Sequence, residues 1–299
     1  MSERFKIVFV YITVCLIWGT TWFAIKLGLD SFPPFFAAGV RFVVAGIVYA
    51  LIILINNIPF PKDSRSLKIY LFIGIFSYII PFGLVYWSEQ YIASGLASVI
   101  FAIYPFAVAI FSTMFLKSEE ITKSKIVGMT IGFAGIVILF SDSLKFDRSM
   151  QFMGMLAAIL NALFQSFVLV MVKKHGKNIH PVSLNFIPVI IGSVGLLMLS
   201  LFLEDSAKIH FTATGIMTLL YLGIFGSVVA FTAYYWLLKK IKILLLSFFS
   251  FITPVVAIFT GYILLNEKLT KYQLIGSTVA LAGVLVGSVP KQKILRKLK

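Results

Sequence analysis

Charge is what this sequence lacks most. Of 299 residues only 12% are charged, against 60% hydrophobic, and just 11 are acidic. Soluble domains carry about 25% charged residues. A mean hydropathy of +1.01 therefore excludes an ordinary globular protein, because too few polar residues exist to clothe its surface. The same apolar excess excludes a disordered chain. The single cysteine, Cys15, excludes a disulfide framework and a cysteine-based zinc site. His175, His180 and His210 form no His-x-x-x-His pair, and no Gly-x-x-x-x-Gly-Lys-Ser/Thr run occurs. No metal, nucleotide or other cofactor is implied.

What remains is an all-α integral membrane protein. Apolar runs of the roughly 20 residues needed to span a bilayer recur with short polar breaks. They predict ten helices, over 7–25, 35–55, 67–87, 92–115, 124–141, 152–172, 181–203, 213–237, 243–265 and 272–289. A membrane β-barrel would alternate in segments of about ten residues, and these runs are continuous. The basic start and apolar run at the N-terminus resemble a signal peptide. The run continues to Ile25 without an Ala-x-Ala-type site, so it reads as an uncleaved first helix.

The net charge of +15 points to membrane topology rather than to nucleic acid. With the N-terminus inside, the tails and inner loops hold 19 Lys and Arg residues, from Arg4 to the five in the tail after Val289. The outer loops hold six: Lys26, Lys145, Arg148, Lys208, Lys268 and Lys271. This asymmetry obeys the positive-inside rule and predicts both termini in the cytoplasm. The tail Lys291–Lys299 reads as a topology anchor on anionic lipid.

The chain also repeats itself. Leu71–Trp87 aligns with Leu220–Trp236 at an offset of 149, with seven of 17 positions identical. Pro105 meets Pro254 at the same offset, and Gly128 and Gly135 meet Gly276 and Gly283 at 148. The chain thus divides into five-helix halves, 1–145 and 146–299. Five is odd, so the second half must enter the membrane the other way up. The loop Ser88–Ser94 has no Lys or Arg, whereas its equivalent Leu237–Lys242 has three. Opposite charge at equivalent loops is what an inverted repeat requires, and such repeats mark secondary transporters with a site near the midplane.

The residues Trp18-Gly19-Thr20-Thr21, Arg41-Phe42, the mid-helix prolines, and Asn266 to Thr270 followed by Gly276 and Ala282-Gly283 carry a resemblance. Together with the length and the repeat, they resemble EamA-type members of the drug/metabolite transporter superfamily. The resemblance covers the whole chain. It implies a carrier of the bacterial cytoplasmic membrane, often an exporter of amino acids, related metabolites or drugs. It also implies a central cavity ringed by helices 1, 3, 4, 6, 8 and 9. Helix 6 departs from the pattern, with Asn161 where an aromatic is expected.

Trp18 and Trp22 share one helix face at i, i+4, and an offset of about 143 maps them onto Asn161 and Gln165. Amides near a bilayer centre must face protein or water. The expected cavity has a wall of indoles opposite a wall of amides, although interfacial tryptophan and interhelical hydrogen bonding would leave the same pattern. Tyr78, Tyr104 and Tyr235 are nearby candidates for binding, with Ser227 and Ser247 as further hydroxyls on helices 8 and 9. Pro105 and Pro254 are candidate hinges, since each removes a backbone hydrogen bond. Arg41 lies about 10 Å below the outer interface if its helix starts at Pro34, where it can serve as an anchor or attract an anion. Gly128, Gly132, Gly276, Ala280, Gly283 and Gly287 are expected at close helix contacts, within the chain or in a dimer. Thr270 to Gln273 reads as a capping box. Glu119 and Glu267 are expected to pair with nearby lysines.

An embedded enzyme would cluster His, Asp or Glu at one depth, and a channel would need a symmetric pore ring. Neither pattern is present. The reading is a secondary carrier, monomer or homodimer, for small organic molecules such as amino acids, working by alternating access and as an exporter. The alternative is broad efflux of cationic drugs held by cation–π contacts. All eleven acidic residues fall in loops, tails or helix edges, so no obligatory proton is expected. Glu89 is the one acid placed to dip into an outer vestibule.

Overall fold

The computed structural model describes residues 2–116, 121–139, 141, 150–265 and 270–288, without the side chains of 261–265. Ten long helices make up these residues: α1 (Glu3–Leu29), α2 (Pro34–Asn56), α3 (Ser64–Ser88), α4 (Ser94–Phe115), α5 (Lys123–Leu139), α6 (Met150–His175), α7 (Pro181–Leu203), α8 (Ala213–Lys240), α9 (Ile243–Thr260) and α10 (Lys271–Ser288). All but α5 and α10 are long and apolar enough to cross a membrane on their own. Those two pack face to face through glycines, Gly128 against Gly287 and Gly132 against Gly283. The expected Glu119 and Glu267 pairings, the basic tail and the boundary at 145/146 lie outside the described residues.

The contacts follow the inverted repeat. Helix α1 packs on α8 and α9, and its equivalent α6 packs on α3 and α4. Helices α2 and α7 pair with each other, as do α5 and α10. Each half is thus braced mainly against the other. One end of the bundle gathers Glu3 with Lys240 (2.8 Å), and the Lys239 ammonium with the Ile179 carbonyl (2.6 Å). The other end gathers Ser31 with Thr212 (2.6 Å) and Lys26 with the Glu89 carbonyl (2.6 Å).

Helix ends are satisfied by chemistry the sequence supplies. Asp63 accepts from the Arg65 and Ser66 amides at the start of α3. Thr270 and Gln273 form the reciprocal capping box expected for α10, at 2.9 and 3.2 Å. The start of α2 is capped from a distance. The Glu204 carboxylate at the end of α7 accepts from the Phe35 and Phe36 amides at 2.7 and 2.9 Å, matching a negative charge to the positive end of the helix.

Four helices are not regular. Gly74–Ile79 in α3 and Leu222–Val229 in α8 are π-helical, and the repeat offset of 149 lays one on the other. Helix α4 breaks at Ala102–Ile103, and Pro105 opens its second half rather than kinking a continuous helix. Helix α9 breaks at Phe248, with Pro254 inside the following segment.

Candidate functional site

A cavity of about 100 Å³ lies between the halves. Helices α1, α3, α4, α6, α8 and α9 line it, joined by α2 through Arg41. Of the residues singled out from the sequence, Trp18, Trp22, Tyr104, Asn161 and Gln165 meet here. Tyr78 and Tyr235 do not line it. The Tyr78 hydroxyl is spent on Asn185 Oδ1 (2.7 Å) in α7, and Tyr235 lines a second cavity nearer the basic end. Neither Pro105 nor Pro254 lines the cavity, although their neighbours Tyr104 and Thr253 do.

The indole wall is a packed aromatic cluster. The Trp18 ring sits 5.3 Å from Phe231, 4.9 Å from Tyr234 and 4.8 Å from Phe249, in tilted or edge-on arrangements that suit ring quadrupoles. The Tyr104 and Tyr234 hydroxyls bond at 2.8 Å. The second cavity reaches Tyr235, whose ring lies 6.1 Å from that of Tyr234 in this layer.

The π-helical turns explain how the walls are held. Such a turn leaves the i→i−4 ladder and is common at functional sites. The Gln165 amide donates to the Ser77 carbonyl (3.1 Å) and its oxygen accepts from the Ser77 hydroxyl (2.8 Å). In the other half, Trp18 Nε1 donates to the Gly226 carbonyl (3.2 Å). Positions 77 and 226 differ by the repeat offset. Each half therefore sends an N–H to the equivalent π-turn carbonyl of the other. Gln165 is consequently a structural latch as well as a lining residue. Asn161 is 4% exposed and makes no side-chain hydrogen bond among the described residues, leaving its amide for whatever enters.

Arg41 is only 2% exposed. Its Nε donates to the Ser227 hydroxyl (2.9 Å) and Nη1 to the Tyr86 hydroxyl (3.4 Å). Its guanidinium lies 4.9 Å from the centre of the Phe82 ring. Phe82, Tyr234 and Ser77 were not singled out as binding residues. An intramembrane charge faces the bundle interior by default, and that rule applied to Arg41 would have brought it to the cavity.

Glu89 lies one turn beyond the cavity residue Val85, and Lys26 directly follows the cavity residue Ile25. Glu89 is fully buried, and neither carboxylate oxygen finds a hydrogen-bond partner among the described residues. Burial raises its pKa well above the ordinary glutamate range, against a weaker opposing pull from Lys26.

Comparison with known proteins places this architecture. The EamA-like transporter family profile matches residues 5–141 and again 152–289. An uncharacterized transporter of Buchnera aphidicola subsp. Schizaphis graminum is 30% identical, with 96% of each chain covered. YoaV of Bacillus subtilis, also called an uncharacterized transporter, is 27% identical, covering 95% of this chain and 97% of its own. YedA of Escherichia coli K12, called an uncharacterized inner membrane transporter, is 29% identical over 92% of this chain and 88% of its own. One solved crystal structure, described only as that of a protein, matches with a TM-score of 0.81 at 18% identity, covering 95% and 98% of the two chains.

Proposed function

The chain belongs to the EamA-like transporter family, and from that premise we propose that it carries small organic metabolites, amino acids or related amphipathic compounds among them, out of the cell by alternating access. The observation that carries this reading is the cavity between the halves, walled by indole and phenol rings on one side and by Asn161 and Gln165 on the other. Rings and amides together suit a solute with an apolar body and a polar group. At about 100 Å³ the cavity is well below the roughly 300 Å³ of a small ligand site. Loading therefore requires the walls to part, as rocking of one half on the other would achieve. Cationic drugs have less support, because Arg41 on the wall repels a second cation. The chain acts by binding and conformational change rather than as an enzyme, in a bacterial cytoplasmic membrane.

Asn161 and Gln165 separate binding from packing. Asn161→Leu should reduce transport about tenfold, as expected for one lost hydrogen bond to a bound polar group, with a melting temperature in detergent near wild type. Gln165→Leu strips the Ser77 latch and should lower the melting temperature as well. Trp18→Ala should impair ring-bearing solutes more than small ones. Misfolding of Asn161→Leu would make the amide a packing element and remove it from the site.

The charge asymmetry supports cytoplasmic termini. In a Cys15→Ala background, cysteines at Ser94 and Ser206 should react with an impermeant thiol reagent in intact cells. Cysteines at Ser64 and Asn178 should react only after permeabilisation. External labelling at Asn178 would invert the topology.

A further inference from the structure

We propose that the carried solute is a small organic anion with an apolar or ring-bearing body, its carboxylate seated on Arg41. This rests on the transport reading above and names its substrate class. Arg41 is buried on the cavity wall, and no carboxylate pairs with it among the described residues. Ser227 and Tyr86 take Nε and Nη1, while Nη2 makes no hydrogen bond among the described residues. A buried charge without a counter-ion is costly, and the rings of Phe82 and Phe42 offset only part of that cost. A carboxylate entering the cavity supplies the missing charge, and the guanidinium fork matches its two oxygens. The Tyr86 and Ser227 contacts fix the fork, so little ordering is left to occur on binding.

The rest of the cavity points the same way. Among the described residues none that lines it is acidic, so an ammonium group would find no opposite charge there. A second cavity, of about 550 Å³, opens at the basic end of the bundle and reaches Tyr235. Lys173, Lys174, Lys177 and Lys239 line it, and among the described residues no acidic side chain does. The positive-inside rule accounts for lysines at that end, but not for their convergence on one cleft. A cleft of one sign between low-dielectric walls concentrates counter-ions. Anions would be gathered there, beside the Trp18–Tyr234 layer, and passed to Arg41 when that layer parts.

The test compares solutes that differ only in charge. 3-Phenylpropionate, its primary amide and 3-phenylpropylamine share one body, and butyrate, butyramide and butylamine form an aliphatic set. Binding is read as thermal stabilisation of the purified full-length protein, and transport as efflux from proteoliposomes. The acids should bind about tenfold or more tightly than the amides, with the amines weakest. Arg41→Gln should bring acid and amide within about threefold, and Arg41→Lys should keep part of the gap. Should Arg41→Gln fail to fold, the wild-type ranking decides alone. Amides or amines binding as well as the acids would overturn the anion assignment. If those solutes are still moved, and Asn161→Leu slows them, the transport reading stands while this inference falls. Binding of none of the six would overturn both the anion and the cavity as its site.

Discussion

Replacing Gly135 or Gly283 with valine is expected to cost on the order of 3 kcal/mol, at the upper end for overpacked cores, and to leave little folded protein. A Cβ at Gly135 would lie 2.3 Å from the Ala280 backbone nitrogen, and one at Gly283 would lie 2.3 Å from the Gly132 nitrogen. These neighbours are backbone, so no side chain can swing aside. The whole of α10 would have to retreat from α5. Lipid tails are as apolar as leucine, so membrane helices hold together through close van der Waals approach rather than through the hydrophobic effect. Gly46→Ala is the control. Its Cβ would meet Val189 at an ordinary 3.5 Å, and the change should be neutral or stabilising by up to about 1 kcal/mol. Thermal denaturation in detergent reads both. A Gly135→Val variant that melts like wild type but changes its oligomeric state would move the glycine stripe from the fold to a dimer interface.

That glycine stripe was legible from the sequence because small-residue spacing on a helix face has one main use. So were the spans, since a bilayer demands an apolar run of fixed length. The helices overrun the predictions where polar ends continue past the hydrocarbon, as α1 does from Ile7 back to Glu3 and from Ile25 on to Leu29. The inverted pairing of helices was legible through shared Gly, Pro and Tyr-Trp punctuation. The helix phases were not. Each residue turns an α-helix by about 100°, and a π-helical turn inserts extra chain without a sequence marker. Within the π segment of α3, Tyr78 turns toward Asn185, and Phe82 takes the cavity wall instead. After the π segment of α8, the lining tyrosine is Tyr234, one position before the expected Tyr235. Gln165 carried a polar signal correctly, but its bonds to Ser77 depend on the same irregular turn.

Transport is expected to depend on pH on the Glu89 side of the membrane, and Glu89→Gln to abolish that dependence. From sequence, all eleven acids lay at edges, and uncoupled transport followed. The structure changes the grounds for that expectation, because Glu89 is buried with both oxygens unpartnered among the described residues. Lys26 of α1 is the charge acting on it, and its ammonium is bonded to the Glu89 backbone carbonyl rather than to the carboxylate. In this conformation burial holds the carboxyl well above its ordinary range. In a conformation opened at this end the side chain would be hydrated, with a pKa near the ordinary 4.3 or so. The closed form then binds the proton more tightly. Its advantage is fully present below that ordinary value and declines as pH rises toward the raised one, by up to about tenfold per pH unit. Acidification on this side should therefore favour the closed form and slow release there. Proteoliposome efflux measured from about pH 5 to about pH 8, starting just above the ordinary glutamate value, reads the slope. Glu89→Gln fixes the neutral form and should give a flat profile at the acid-limit rate. A wild-type profile that is already flat would leave Glu89 a silent buried acid and restore the uncoupled mechanism. If instead an imposed pH gradient alone drives accumulation, and Glu89→Gln removes it, the same carboxyl is the coupling site, because only a titrating group can carry the proton through the cycle.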